Sequence, residues 1–331
     1  MLHTKIFKNF SLLTFSNVIQ QGLNFIVLIP MARILEPEGY GTYTIILAIV
    51  TIAQAISSLG IRQIIIREIA RNPQDVSSIA WRSFVLSVAG FFLTCLLLIP
   101  YFIIYEGVTN PTLLIISIFL LLSQVIWNFA EPLAFGKEKM EFSSVIGSVF
   151  TILWVGVIIF ILPEKYFNLT SVLVIYTLIQ LMRSLVYLLF EWKENYFKRN
   201  KIRNQSQNAG IIELFTRSLP LYASTLLNIP VVQLPVLFLG KNSGTVEVAY
   251  FGLGSKLSLP FALIAGNLIS AIYPLLARLY KEDRTTFEMY TKKFLVTLWF
   301  IGLCTCFELS LFSREIVKLM FGLKYEAAVP A

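Results

Sequence analysis

Apolar residues run along this chain in blocks long enough to cross a bilayer, and polar residues cluster in the short gaps between them. The pattern predicts nine spans, at roughly 10–32, 41–60, 83–104, 112–134, 143–162, 169–190, 214–239, 250–276 and 294–312. Each is near or above the ~20 residues a helix needs to pass about 30 Å of hydrocarbon. Membrane β-strands would be half that length, with strict alternation, and no such alternation is present. The expectation is therefore an all-α, polytopic transmembrane helical bundle.

The first span is the least uniform. Asn17, Gln20, Gln21 and Asn24 interrupt an apolar run, and at about 100° per residue they share one narrow sector of a helix. Thr14 extends that sector. Amides facing lipid would leave donors and acceptors unpaired in hydrocarbon, so the stripe must face protein or water. It either hydrogen-bonds neighbouring helices or lines a hydrated cavity. Four clustered amides exceed what one packing contact needs, which favours the cavity.

Composition agrees with a membrane protein. The 331 residues are 56 % hydrophobic and only 14 % charged, against about 25 % charged in soluble domains, and the mean hydropathy is +0.74. The net charge of +8 takes its meaning from position. With the N-terminus in the cytoplasm, and with Arg217 at the cytoplasmic end of the seventh span counted on that side, 19 of the 27 Lys and Arg residues fall in cytoplasmic segments and six in outer ones, while Arg183 and Lys256 lie deeper within spans. That bias follows the positive-inside rule and argues for membrane topology rather than a nucleic-acid partner. It also supports the span count, because one missed span would reverse every later loop. A probe cysteine in Asn204→Cys is expected to react only from the cytoplasmic side, and one in Glu38→Cys only from outside. Labelling of both from one side would sink the nine-span map.

Catalytic and metal chemistry find little support. The single histidine is His3, at the terminus, and the three cysteines, Cys95, Cys304 and Cys306, lie in apolar runs. Cys304 and Cys306 point about 200° apart on a helix, so neither a disulfide framework nor a metal clip is expected. No cofactor is expected, and the coupling ion is left open. The acidic residues Glu131 and Glu308 are candidates for it, or else are paired or interfacial. The first apolar run is too long for a cleavable leader and should stay as an anchor.

The longest polar break, 191–213, is basic and carries Asn-Gln-Ser-Gln-Asn at 204–208. It reads as a cytoplasmic linker between a six-helix lobe, 1–190, and a second lobe, 214–331, of which three spans are seen. The second lobe partly echoes the first. A span with polar residues (Ser218, Tyr222, Ser224, Thr225, Asn228) precedes a short outer turn and Tyr250-Phe251-Gly252, as the first span precedes Glu38-Gly39-Tyr40-Gly41. Such an echo points to a parallel repeat. The tenth span expected of a six-helix lobe would begin where the chain stops, which reads as a C-terminal truncation. Pro220, Pro230 and Pro235 in span seven, with Pro260 and Pro274 in span eight, favour kinks, from packing irregularity or for a bending lobe.

The run from Ala32 through Glu36-Pro37-Glu38-Gly39-Tyr40-Gly41-Thr42-Tyr43 resembles the first outer turn of the polysaccharide and O-antigen flippases, the lipid-linked oligosaccharide exporters of the multidrug/oligosaccharidyl-lipid/polysaccharide (MOP) superfamily. Leu59-Gly60-Ile61-Arg62-Gln63 with Ile66-Arg67-Glu68-Ile69-Ala70-Arg71 is similar to the same family, as are Ser218-Leu219-Pro220-Leu221 and Phe321-Gly322 with Tyr325-Glu326-Ala327-Ala328. The motifs occur in family order along the whole chain. The resemblance implies 12–14 helices in two six-helix lobes around a cavity, which carry a polyprenyl-pyrophosphate oligosaccharide between leaflets by alternating access. No covalent bond is broken, so no enzyme is implied. The implied partners are the lipid-linked oligosaccharide, membrane lipids and polysaccharide-assembly proteins, in the plasma or inner membrane.

Such a cargo needs hydrogen-bonding groups for sugars and cations for phosphates. The candidate sugar contacts are Asn17, Gln20, Gln21, Asn24 and Asn228. The candidate cations are Arg183 and Lys256, whose alternative is to snorkel to an interface. Competing readings are a drug or organic-cation exporter, which wants an acidic cavity, a membrane glycan polymerase or ligase, which wants a large outer loop, and a non-transporting scaffold.

Overall fold

The computed structural model describes residues 2–73, 75–104, 110–162, 167–193 and 207–329. Most of the basic linker at 191–213, including Asn204, lies outside them, as does Lys165. The described residues contain no strand. Their helices are α1 (Leu2–Ser58), α2 (Ile61–Arg71), α3 (Val76–Ile104), α4 (Pro111–Gly136), α5 (Met140–Gly156), α6 (Leu169–Lys193), α7 (Gln207–Asn242), α8 (Thr245–Glu282) and α9 (Arg284–Phe321). Seven of these, with α1 taken as one, are long and apolar enough to cross a membrane. Large apolar side chains such as Phe92, Leu96, Phe160 and Phe307 are exposed, as lipid-facing helix surfaces require.

The predicted turn after the first span is a single-residue break. Helix runs on both sides of Glu36, whose φ of 57° and ψ of 171° are non-helical. The next residue, Pro37, accounts for the break. Its ring disfavours the α region at the preceding residue, and it has no N–H to give the helix. Pro30 sits in α1 without such a break, and α7 and α8 are helical through their prolines.

The chain divides into two compact units, 1–248 and 249–331. In the first, α4 packs on α6, and α1 packs on α5, α7 and α3. Where α3 crosses α1, Gly90 lies so close that an added Cβ would sit 2.2 Å from the Ser57 carbonyl oxygen. The C-terminal end of α1 leaves carbonyls without helical donors, and α7 supplies them. Ser218 Oγ donates to the Leu59 carbonyl at 2.8 Å and Tyr222 Oη to that of Ile56 at 3.0 Å. The Ser218-Leu219-Pro220 motif thus ties α7 to the end of α1.

The segment 61–71, expected only as a cytoplasmic segment, forms the amphipathic helix α2. Ile61, Ile64, Ile65 and Ile69 are buried in a core with Phe129, Leu133, Tyr187 and Leu214, while Gln63, Arg67 and Arg71 are exposed. Isoleucines at helical spacing on one face are the reason.

In the second unit, Asp283 starts α9, its carboxylate accepting hydrogen bonds from the backbone N–H groups of Thr285 and Thr286, both at 3.1 Å. Hydrogen bonds from the Thr285 and Thr286 hydroxyls, and to a lesser degree these backbone bonds, hold its pKa down at about 2. After Gly322 a short 3₁₀ turn, Leu323–Ala328, folds back on α9. There Tyr325 meets Phe321 and Tyr250, and Glu326 pairs with Arg314. The Phe321-Gly322 and Tyr325-Glu326 motif therefore forms a local cap.

Candidate functional site

The amide stripe of α1 divides by environment. Gln20 is half-buried and donates to Ser16 Oγ at 2.8 Å. Ser16 in turn bonds the Ser144 carbonyl and Ser148 Oγ of α5, each at 2.9 Å. The Gln20 amide also lies against Gly147, where a Cβ would come within 2.8 Å of it. Gln20 thus works in helix packing. Asn17, Gln21 and Asn24 are exposed on the same helix and supply the open hydrogen-bonding face. Asn228 is exposed on α7, and Lys256 is half-buried on α8 in the second unit.

Arg183 occupies a setting that the apolar pattern of its span did not show. Its guanidinium lies over the Trp127 ring, 4.4 Å from the centroid, and its buried Nε makes no hydrogen bond. Arg62 of α2 approaches the same ring at 5.6 Å, a cation–π geometry. Arg62 also pairs with Glu131 at 2.5 Å. The other Glu131 oxygen accepts from Ser143 Oγ at 2.8 Å, and Ser143 Oγ and Tyr187 Oη are 2.8 Å apart. The cluster joins α2, α4, α5 and α6.

Its logic is helical spacing. Trp127 and Glu131 are four apart on α4, Arg183 and Tyr187 four apart on α6, so each pair shares a face. The two faces meet rung on rung. Sequence reading identified Glu131 as paired, interfacial or ion-binding, and the structure shows it paired, with Arg62. The i,i+4 combinations Trp127/Glu131 and Arg183/Tyr187 were the available signal. Beside Arg62, a cavity of about 10 Å³ is lined by Ser57, Ser58, Ser87 and Asn128, about enough for one water. Glu308, the other acidic candidate, is exposed on α9.

Residues 6–280 match the family described as "Polysaccharide biosynthesis protein". The chain belongs to that family. It is similar to the capsular polysaccharide biosynthesis protein CapF of Staphylococcus aureus, with 22 % identity over 320 residues, covering 96 % of this chain and 78 % of the relative. No solved structure matches the chain. For a polysaccharide biosynthesis protein built of apolar helices, the exposed amides of α1 and the arginines around Trp127 are the polar groups whose placement calls for a functional account.

Proposed function

We propose that this chain is a transporter of the MOP superfamily that moves lipid-linked, polyprenyl-pyrophosphate oligosaccharide from the cytoplasmic to the outer leaflet of the plasma membrane, N-terminus in the cytoplasm, by alternating access and without bond chemistry. The observation that carries this reading is the exposed amide face of α1, Asn17, Gln21 and Asn24 on an otherwise apolar helix. Amides satisfy sugar hydroxyls as donor and acceptor together, and in hydrocarbon they are costly unless a hydrated path faces them. Membership of the polysaccharide biosynthesis family points the same way, as does the capsular function in the name of the CapF relative. Asn228 adds a further sugar contact, Arg183 of the first unit supplies a cation for the pyrophosphate, and Lys256 is a separate candidate cation in the second unit.

The test replaces Asn17, Gln21 and Asn24 together with Leu. Insertion persists, because apolar residues suit the bilayer. Export falls roughly tenfold or more, since each lost hydrogen bond contributes about 0.5–1.5 kcal/mol, and lipid-linked oligosaccharide accumulates on the cytoplasmic leaflet. Lys256→Gln, which removes the charge and keeps a polar donor, lowers export as well. An exporter of organic cations gives the opposite result, because losing a positive charge does not impair cationic cargo. Unchanged oligosaccharide export in the triple variant overturns the reading.

A further inference from the structure

Two guanidiniums and one carboxylate meet around Trp127. Arg62 and Arg183 lie 5.6 and 4.4 Å from the centre of its ring, so their guanidinium carbons are at most about 10 Å apart. Glu131 pairs with Arg62 and is within coulombic reach of Arg183, and no other carboxylate forms an ion pair with either arginine among the described residues. The cluster therefore carries one positive charge more than it neutralises. A charge held among helices without a full counter-charge is costly. Arg183 Nε, buried and without a hydrogen bond, is an unused donor at the same place. Arg62 keeps 32 % of its side chain exposed, which gives access from outside the cluster.

We propose that Arg62, Arg183 and Trp127 form a binding site for a phosphate-type anion, and that Glu131 is its built-in competitor. In the structure Glu131 occupies Arg62. An incoming phosphate or pyrophosphate oxygen takes Arg62 from Glu131 and completes the donor set of Arg183. Guanidinium forks suit such oxygens, and the Trp127 indole that both guanidiniums approach helps hold them in place while the carboxylate leaves. The exchange also loosens α2 from α4, because the Arg62–Glu131 pair is one of their links. The site deepens the proposed function by naming where the pyrophosphate head is held, but its test does not use transport.

The experiment measures binding of inorganic pyrophosphate and farnesyl pyrophosphate to the purified full chain in detergent, by isothermal titration, with the change in tryptophan fluorescence that is lost in Trp127→Phe as a second signal. Nanodiscs with and without phosphatidylglycerol form a separate arm. The two substitutions are expected to act in opposite directions. Arg183→Gln weakens pyrophosphate binding about tenfold or more, while Glu131→Gln tightens it several-fold by removing the competitor. A merely structural cluster would lose binding in both. Arg183→Lys keeps the charge and retains partial binding, which separates loss of the site from loss of folding. Farnesyl pyrophosphate binding with this pattern assigns the anion to a lipid-linked pyrophosphate. Competition by phosphatidylglycerol alone assigns it to the membrane lipid headgroup, with the same residues. No saturable binding by any probe, or the same direction of change in both variants, overturns the site. Binding without oligosaccharide export would leave the site standing and sink only the transport reading.

Discussion

Replacing Lys137 by Met is expected to destabilise the first unit by about 3–5 kcal/mol, the usual cost of breaking one side of a buried ion pair. Lys137 Nζ lies 2.6 Å from Glu191 Oε2, joining the end of α4 to α6, with side-chain exposures of only 11 % and 0 %. Glu191 Oε1 already lacks a hydrogen bond, so losing the lysine leaves the carboxylate without its Lys137 partner in a dry contact. Thermal unfolding in detergent should shift down by roughly 10 °C. Lys137→Met combined with Glu191→Met should recover most of the loss, because a matched apolar pair is often as stable as the ion pair it replaces. A double variant as unstable as the single one would place the damage in packing rather than charge. Burial, opposed by the Glu191 hydrogen bond, pushes the Lys137 ammonium from 10.5 down to about 8. The folded value lies below the unfolded one, so the unfolded chain holds the extra proton between them. Stability contributed by Lys137 thus rises as pH goes from about 8 to 10.5, and Lys137→Met should abolish that rise.

Gly41→Val is expected to cost about 3 kcal/mol or more, at the upper end of overpacking penalties, and to lower the yield of folded protein sharply. A Cβ at Gly41 would lie 1.8 Å from the Thr245 carbonyl oxygen and 2.6 Å from its carbon. Those are backbone atoms at the start of α8 and have no rotamer to yield. Gly22, earlier on the same helix α1, makes the control. A Cβ there meets nothing within 4 Å, so Gly22→Ala should leave stability unchanged or raise it by up to about 1 kcal/mol through helix propensity. Equal retention of folded protein by both variants, measured by size-exclusion profile and melting temperature, would show that α1 and α8 do not approach as closely as Gly41 implies.

Gly41 also shows how the motifs of the chain relate to its fold. The Glu36-Pro37…Gly41-Thr42-Tyr43 run was legible as a turn between spans, and the break at Glu36 follows from the proline after it. That the same run receives the start of α8 at Gly41 was not legible, since nothing in local sequence names a partner 200 residues away. The amphipathic helix α2 was within reach, because Ile61, Ile64, Ile65 and Ile69 repeat at helical spacing, but a count of apolar spans passes over an eleven-residue helix.

The helical membrane architecture was decided by composition and periodicity alone. Long runs of apolar side chains must satisfy every backbone group internally, and only a helix does that within one segment. Local chemistry likewise decided the break before Pro37 and the cap at Asp283. Which amides of α1 stay open and which are consumed in packing was decided only in three dimensions. Gln20 and Gln21 are adjacent and alike in chemistry, yet one meets Ser16 and Gly147 and the other remains exposed. The pairing of Arg62 with Glu131 and the stacking of Arg183 on Trp127 belong to the same class. They depend on which helix faces which, and that is set by the packing of whole surfaces, where each residue contributes too little to read singly.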